Sequence, residues 1–407
     1  MTTSRDALQA TDVMILPDAA WRARAGLDAL ATVLGAADGD SRFVGGAVRD
    51  TLLGMDVADI DIATRLPPQE VIERLQDARI KAVPTGLAHG TITAVTPGGP
   101  VEVTTLRRDV STDGRHAIIA YTDDWREDAA RRDFTMNALY ADPVTGEIVD
   151  YFNGLDDLAA RRVRFIGDPL RRIAEDHLRI LRFFRFHARF GPPDQNAIDQ
   201  AGLDACTTRA NDLMALSRER VASEVLKLLV AANAVPVVGL MVDRGIFRAV
   251  LPEIDAAGTA RLALLADREA AAGILPDPIR RLAAVIAPAA AEAVGARLKL
   301  SNVDRKRLIA ATGGPGDEGP LALAYRVGPA NAVDRLLIAG EDVSSIVGWA
   351  PPPFPFSGGA LVERGLRKGP DVAAMLRQVE TRWIAEGFPD KARVATIADQ
   401  LVAEALR

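Results

Sequence analysis

The sequence predicts an α/β head followed by an all-helical neck, body and tail, and three observations carry that prediction. Short runs with the two-residue period of strands are confined to about residues 41–150. After about residue 152 that signal fades, and apolar residues recur at the three- and four-residue spacing of amphipathic helices. The chain has 407 residues. A single core serves about 150 residues, so two to three cores are expected.

In chain order, strands are expected over residues 42–44, 58–63 (ADIDIA), 90–96 (GTITAVT) and 101–106 (VEVTTL). Pro97-Gly98-Gly99-Pro100 joins the last two as a hairpin. Residues 68–78 (PQEVIERLQDA) read as a helix with proline in its first turn. Helical spacing then marks residues 169–190, 218–230, 261–266, 333–338 and 372–384. Gly191-Pro192-Pro193 stops the first of these, and residues 313–319 (GGPGDEG) offer a link. The resulting division is an N-terminal extension (1–24), a head (25–150), a neck (151–215), a body (216–315) and a tail (316–407).

Composition removes several classes. With 48% hydrophobic and 26% charged residues the chain has the balance of an ordinary folded protein. Its one cysteine, Cys206, allows neither an internal disulfide nor a cysteine zinc cluster. All four histidines precede residue 188, which excludes a histidine metal site built from the later helices. Asp6 and Asp12 interrupt any apolar export signal. The longest uncharged run, residues 343–362, is broken by four prolines and two paired glycines, so no membrane span is expected and the location is read as cytoplasmic. Net charge is −6, yet residues 161–189 hold nine arginines against Asp168, Glu175 and Asp176. That local excess of +6 suits an anionic partner.

Four motifs carry chemistry. Gly45-Gly46 lies at a strand-to-helix turn, where the backbone can approach a phosphate closely; a turn serving only packing has the same form. In the strand that follows, Asp59 and Asp61 share one face while Ile60 and Ile62 share the other. Paired carboxylates suit Mg²⁺, although a solvated strand edge reads alike. Glu102, in Val-Glu-Val on a later strand, is a third acid of the same apolar-acid-apolar form and a candidate neighbour of the pair. Residues 107–115 (RRDVSTDGR) are polar enough to be a loop. In the basic stretch, Asp176 and Arg179 are three apart on one expected helix face, with Arg182 and Arg185 continuing the row.

The ordered series GGAVRDTLLGMDVADIDIAT, RRDVSTDGR, ARRDFTMNALYAD and IAEDHLRILRFFRFHARF, spanning about residues 40–230, resembles the class II branch of the polymerase-β-type nucleotidyltransferases. That branch comprises the CCA-adding tRNA nucleotidyltransferases and their poly(A) polymerase relatives. The resemblance implies a polymerase-β-type palm, a mixed sheet with helices, in the head. It implies Mg²⁺ held by Asp59 and Asp61, with Glu102 as third catalytic carboxylate. It assigns nucleotide binding to Gly45, Gly46, Arg49, Arg131, Arg132, Asp133 and Asn137, with Asp133 suited to accept from a ribose hydroxyl. It assigns base selection to Glu175, Asp176, Arg179, Arg182 and Arg185, Glu175 orienting the others. It makes Asp109 and Arg115 part of a flexible loop that helps the pocket change from CTP to ATP.

The chemistry of that selection follows from the bases. Cytosine and adenine both present an amino donor beside a ring-nitrogen acceptor, and uracil and guanine present the reverse, so a carboxylate with a guanidinium can admit C and A. The implied partners are the acceptor arm and 3′ end of tRNA, with CTP and ATP as substrates and pyrophosphate as product. A poly(A) polymerase of the same family and a noncatalytic RNA-binding protein are the alternatives.

Overall fold

The computed structural model describes residues 14–112, 117–192, 194 and 197–406. It divides into two units, one formed by the chain up to Glu224 with Ala231–Val250, the other by Val225–Val230 with Leu251–Arg407.

The first unit is built on a seven-stranded sheet in the order β3-β4-β5-β2-β1-β8-β9. Its strands are β1 (Ser41–Val44), β2 (Asp61–Thr64), β3 (Lys81–Gly86), β4 (Thr91–Thr96), β5 (Gly99–Thr105), β8 (Leu139–Ala141) and β9 (Ile148–Asp150). Every pairing is antiparallel except β2 with β5, where Asp61 stands opposite Glu102 and Ile62 opposite Val103. Alternation does the rest: Ile60, Ile62, Val101 and Val103 are buried, and the acids between them face the other way. Helices α1 (Leu27–Val33), α2 (Gly46–Leu52) and α3 (Pro68–Asp77) accompany the sheet. Residues 14–24 join it too, since Ile15 bridges Glu147, and buried Trp21 lies edge-on to Phe43 and donates to the Thr51 hydroxyl at 2.8 Å.

Three sequence expectations are corrected. The strand expected over 58–63 begins at Asp61; Asp59 precedes it, although Ile60 still lends its carbonyl to the Glu102 amide at 3.0 Å. The segment read as a loop from residue 107 opens instead with β6 (Arg107–Thr112), paired antiparallel with β7 (Ala117–Tyr121). Apolar Ile118 and Ile119 in β7 give the polar strand a partner of high strand propensity. Asp109 lies in β6, and Arg115 lies outside the described residues. Finally, the single helix expected over 169–190 is two. After α4 (Trp125–Ala130) and α5 (Gly154–Ala159), α6 (Pro169–Glu175) stops at an extended Asp176, and α7 (Arg179–Phe190) starts after it. The cause is local. The Asp176 carboxylate accepts the Leu178 amide at 3.1 Å, so a side chain takes a donor that a continuous helix would use. Helices α8 (Gln200–Thr208), α9 (Arg218–Leu229) and α10 (Ala234–Asp243) follow.

The second unit is helical, from α11 (Ala256–Ala271), α12 (Pro278–Val285), α13 (Ala291–Arg297) and α14 (Asn302–Ala311) through α15 (Pro320–Val327), α16 (Pro329–Ala339), α17 (Gly358–Val362), α18 (Pro370–Ala385) and α19 (Lys391–Ala405). Leu265 and Ala284 share one core with Leu323, Leu336 and Leu337, so helices on both sides of residue 315 depend on each other. Buried Glu269 accepts from Arg280 and Arg281 inside it. Among the described residues no helix is long and apolar enough to cross a membrane.

Gly258, in α11, tests this packing. An added Cβ would stand 2.0 Å from the Val285 carbonyl oxygen. Glycine to alanine in a helix ordinarily stabilises by up to about 1 kcal/mol. Here the sign should invert, Gly258→Ala costing about 1–3 kcal/mol, read as a lower urea midpoint for the helical unit.

Candidate active site

A cleft of about 350 Å³ in the first unit gathers residues from four parts of the chain: Gly45, Gly46 and Arg49; Asp61; Arg131, Arg132, Asp133 and Asn137; and Asp176, Arg179 and Arg182 with Phe186. Asp59 and Glu102 adjoin it through Asp61, one two residues before it and the other its partner in the parallel ladder. Glu175 and Arg185 do not line the cleft. Glu175 pairs with Arg172 and, at 2.5 Å, with Arg179, while Arg185 pairs with Glu224 at 2.5 Å.

The glycine turn owes its shape to Gly45, whose φ of 69° and ψ of −121° suit glycine alone. Its missing side chain leaves the Arg132 guanidinium and the Asn137 carbonyl close by. Arg49 is buried against the faces of Phe190 and Phe186, at 4.3 and 5.3 Å from the ring centroids, and bonds Asp50 and the Asn137 side chain. Burial lowers its pKa from the usual arginine value, against the pull of Asp50. Arginine titrates so high that it stays charged. Two of its five N–H groups have no part in those bonds and can serve a phosphate.

Acid and base are balanced around the central strand pair β2 and β5. Burial, and then the neighbouring Glu102 and Asp59 charges, push the Asp61 carboxyl up to about 6 against the attraction of Arg132. The donor set is all carboxylate oxygen, which fits a hard divalent cation. On the other side, Asp128 is almost wholly buried and takes Arg131 at 2.7 Å, Arg132 at 3.0 Å and the Tyr140 hydroxyl at 2.6 Å. Burial alone would raise its pKa; the two guanidiniums and the hydroxyl overcome it and hold the carboxyl below the usual range. Both cleft arginines are thereby fixed. Sequence reading passed over Asp128, although an acid three and four residues before two arginines is the spacing of a helical ion pair.

Asp133 holds other side chains. One oxygen accepts from the Phe134 amide and the Asn137 amide group, both at 2.9 Å, and the other accepts Arg182 at 2.7 and 2.5 Å. Those four donors fill the four acceptor positions of a carboxylate. Asp133 thus anchors Asn137 and Arg182, and all three line the cleft.

Asp176 and Arg179 both reach the cleft; the Arg179 amide donates to the Asp176 carbonyl at 3.0 Å, but their side chains bond other groups. Asp176 takes Arg220 at 2.8 and 3.0 Å, one to each oxygen. Arg179 donates to Glu175 and to the carbonyls of Arg172 and Arg131, at 2.5, 2.8 and 3.0 Å. Phe186, four residues beyond Arg182, supplies an apolar wall that sequence reading assigned no role.

Carboxylates on the central strand pair beside an arginine-lined cleft place the molecule among the nucleotide-transferring enzymes. The family model for the poly A polymerase head domain matches residues 41–164, and that for a probable RNA and SrmB-binding site of polymerase A matches residues 197–257. The mouse mitochondrial CCA tRNA nucleotidyltransferase 1 is 34% identical over 385 residues, 89% of this chain and 87% of its own. The human protein is 34% identical over 386 residues with the same coverage. The Bacillus stearothermophilus CCA-adding enzyme, solved with CTP, superposes with a TM-score of 0.70 at 25% identity, covering 94% of this chain and 98% of that one. The chain belongs to the family of CCA tRNA nucleotidyltransferases, whose members use a divalent metal.

Replacing Asp128 by Asn leaves two buried guanidiniums short of a charge. The head should lose about 3–5 kcal/mol at pH 7. Because the folded carboxyl is held low, its stabilisation is complete above the unfolded value near about 4 and fades as pH falls toward the folded value. The deficit of the variant, followed by urea unfolding between pH 7 and pH 3, should therefore shrink below about pH 4.

Proposed function

We propose that this chain extends the 3′ end of tRNA to CCA, taking CTP and then ATP and releasing pyrophosphate, with protein side chains in the place of a template strand. The observation that carries the reading is the state of Asp176 and Arg179. Each is held by other groups and neither is consumed by its partner. Asp176 has accepted three N–H groups, leaving one acceptor position on Oδ2; Arg179 has given three of its five, leaving two donors. An amino group and a ring nitrogen side by side, as on cytosine and adenine, satisfy both. Uracil and guanine would leave them unpaired, which costs on the order of 1–3 kcal/mol, or tenfold to a hundredfold in rate.

Within that frame, Arg49 and the Gly45-Gly46 turn take the triphosphate, and Arg131, Arg132 and Arg182 complete the positive wall. Asp59 and Asp61 would hold Mg²⁺, with Glu102 beside them. Mg²⁺ usually keeps waters and takes phosphate oxygens alongside one or two carboxylates, so this pair is enough for it. Bound there, Mg²⁺ would supply a lowered pKa for the attacking hydroxyl and charge for the departing pyrophosphate. The strand pair β2 and β5 keeps the carboxylates facing the tRNA 3′ hydroxyl, and the guanidiniums hold the α-phosphate in line with it. The tail, residues 316–407, is assigned the grip on the tRNA body. Cytoplasmic location accords with the reading and rests on the sequence alone.

The test is gel analysis of tRNA ending at its discriminator base. CTP alone should add two residues, and CTP with ATP three and no more. Long adenosine tails with ATP alone would instead make it a poly(A) polymerase. Asp61→Ala should lower transfer of both nucleotides by at least about 10³-fold while tRNA binding, measured by gel shift, persists. Chelation of metal should stop the wild-type reaction and added Mg²⁺ should restore it; full activity in either case removes the metal assignment.

A further inference from the structure

Beside the base-reading pair stands half-buried Arg220, which no motif singled out and which is 44 residues from Asp176 in sequence. Its guanidinium reaches both carboxylate oxygens of Asp176 from α9. One turn on, at the i+4 position of the same helix face, Glu224 receives Arg185 of α7 at 2.5 Å. Helix α9 thus presents a cation to the break between α6 and α7 and an anion to α7 itself. These two ion pairs of opposite polarity fix its rotation and height against the segment that reads the base.

The position matters because Asp176 sits at a break. Its backbone is extended, at φ −149° and ψ 107°, so the α6 ladder does not run through it, and its carbonyl accepts the Arg179 amide at 3.0 Å. A carboxylate there would swing toward the nearest guanidinium, and Arg179, three residues on, is near. Were the two to close on each other, the acceptor and donors that fit cytosine or adenine would be used up. Glu175 prevents this from one side by taking Arg179. We infer that Arg220 prevents it from the other, as a positioning residue that sets base selectivity by holding Asp176 open. The inference rests on the reading of Asp176 and Arg179 as the base-selecting pair. Arg220 itself does not line the cleft, so it acts through Asp176 and not on the nucleotide.

The experiment compares kcat/KM for CTP and UTP on tRNA lacking CCA, and for ATP and GTP on tRNA ending in CC, using the full chain. A loss of folding or of tRNA binding lowers all four alike, whereas the ratios report base selection. Arg220→Ala should lower the CTP-to-UTP ratio about tenfold. Arg220→Lys, which keeps a cation on a shorter side chain, should restore part of it. Asp176→Ala should collapse the ratio by itself, and adding Arg220→Ala to it should bring no further loss. An unchanged ratio in Arg220→Ala beside a collapsed ratio in Asp176→Ala overturns this inference and leaves the base-reading pair standing. An unchanged ratio in Asp176→Ala overturns both. Where Arg220→Ala does not fold, Arg220→Gln, which keeps length and loses charge, gives the same reading.

Discussion

Two side chains of opposite charge, three residues apart, attract each other, and the base selection proposed for the site depends on keeping them from meeting. A closed Asp176–Arg179 pair would be an ordinary intrahelical salt bridge with nothing left to offer a base. The fold keeps it open by interrupting the helix at Asp176 and by giving each member a separate counter-ion, Glu175 for Arg179 and Arg220 for Asp176. Both counter-ions are occupied, so neither side chain gains by leaving its place. The same economy appears around Asp128, which fixes two arginines with one buried carboxylate. Asp133 likewise spends all four acceptor positions on holding its neighbours.

The carboxylates for transfer follow an opposite rule. Asp61 and Glu102 are brought side by side by the one parallel pairing of the sheet. Burial and mutual repulsion raise Asp61, and Arg132 offsets only part of that. Repelling acids at the edge of an electropositive cleft are costly to the empty fold and useful once a divalent cation and a triphosphate arrive together. One region of the site is thus satisfied within the protein, and the other awaits its ligands.

Much of this was legible in the sequence, for physical reasons. The α/β head, the helical remainder and the hairpin at Pro97-Gly98-Gly99-Pro100 show in periodicity, because burial of alternate or every third and fourth side chain leaves that trace. The apolar-acid-apolar form of Glu102 marked it as a candidate neighbour of the Asp pair, while the parallel register that sets it opposite Asp61 leaves no such trace. The helix break was not: apolar residues keep helical spacing through Ile173, Ile180 and Phe184, and only the side-chain capping of Asp176 interrupts the backbone. Nor was Arg220, since a partner 44 residues away leaves no local pattern. The strand β6 was hidden by its polar composition, being set by pairing with β7.

The central claim is that Asp176 and Arg179 face the base as an open pair. The most direct measurement is a crystal structure with CTP and a tRNA lacking CCA. The account predicts the cytosine amino nitrogen and ring N3 within about 2.7–3.2 Å of the Asp176 carboxylate and the Arg179 guanidinium respectively, with the Arg220 and Glu175 contacts kept. A cytosine edge bound elsewhere in the cleft, with Asp176 closed onto Arg179, would contradict it.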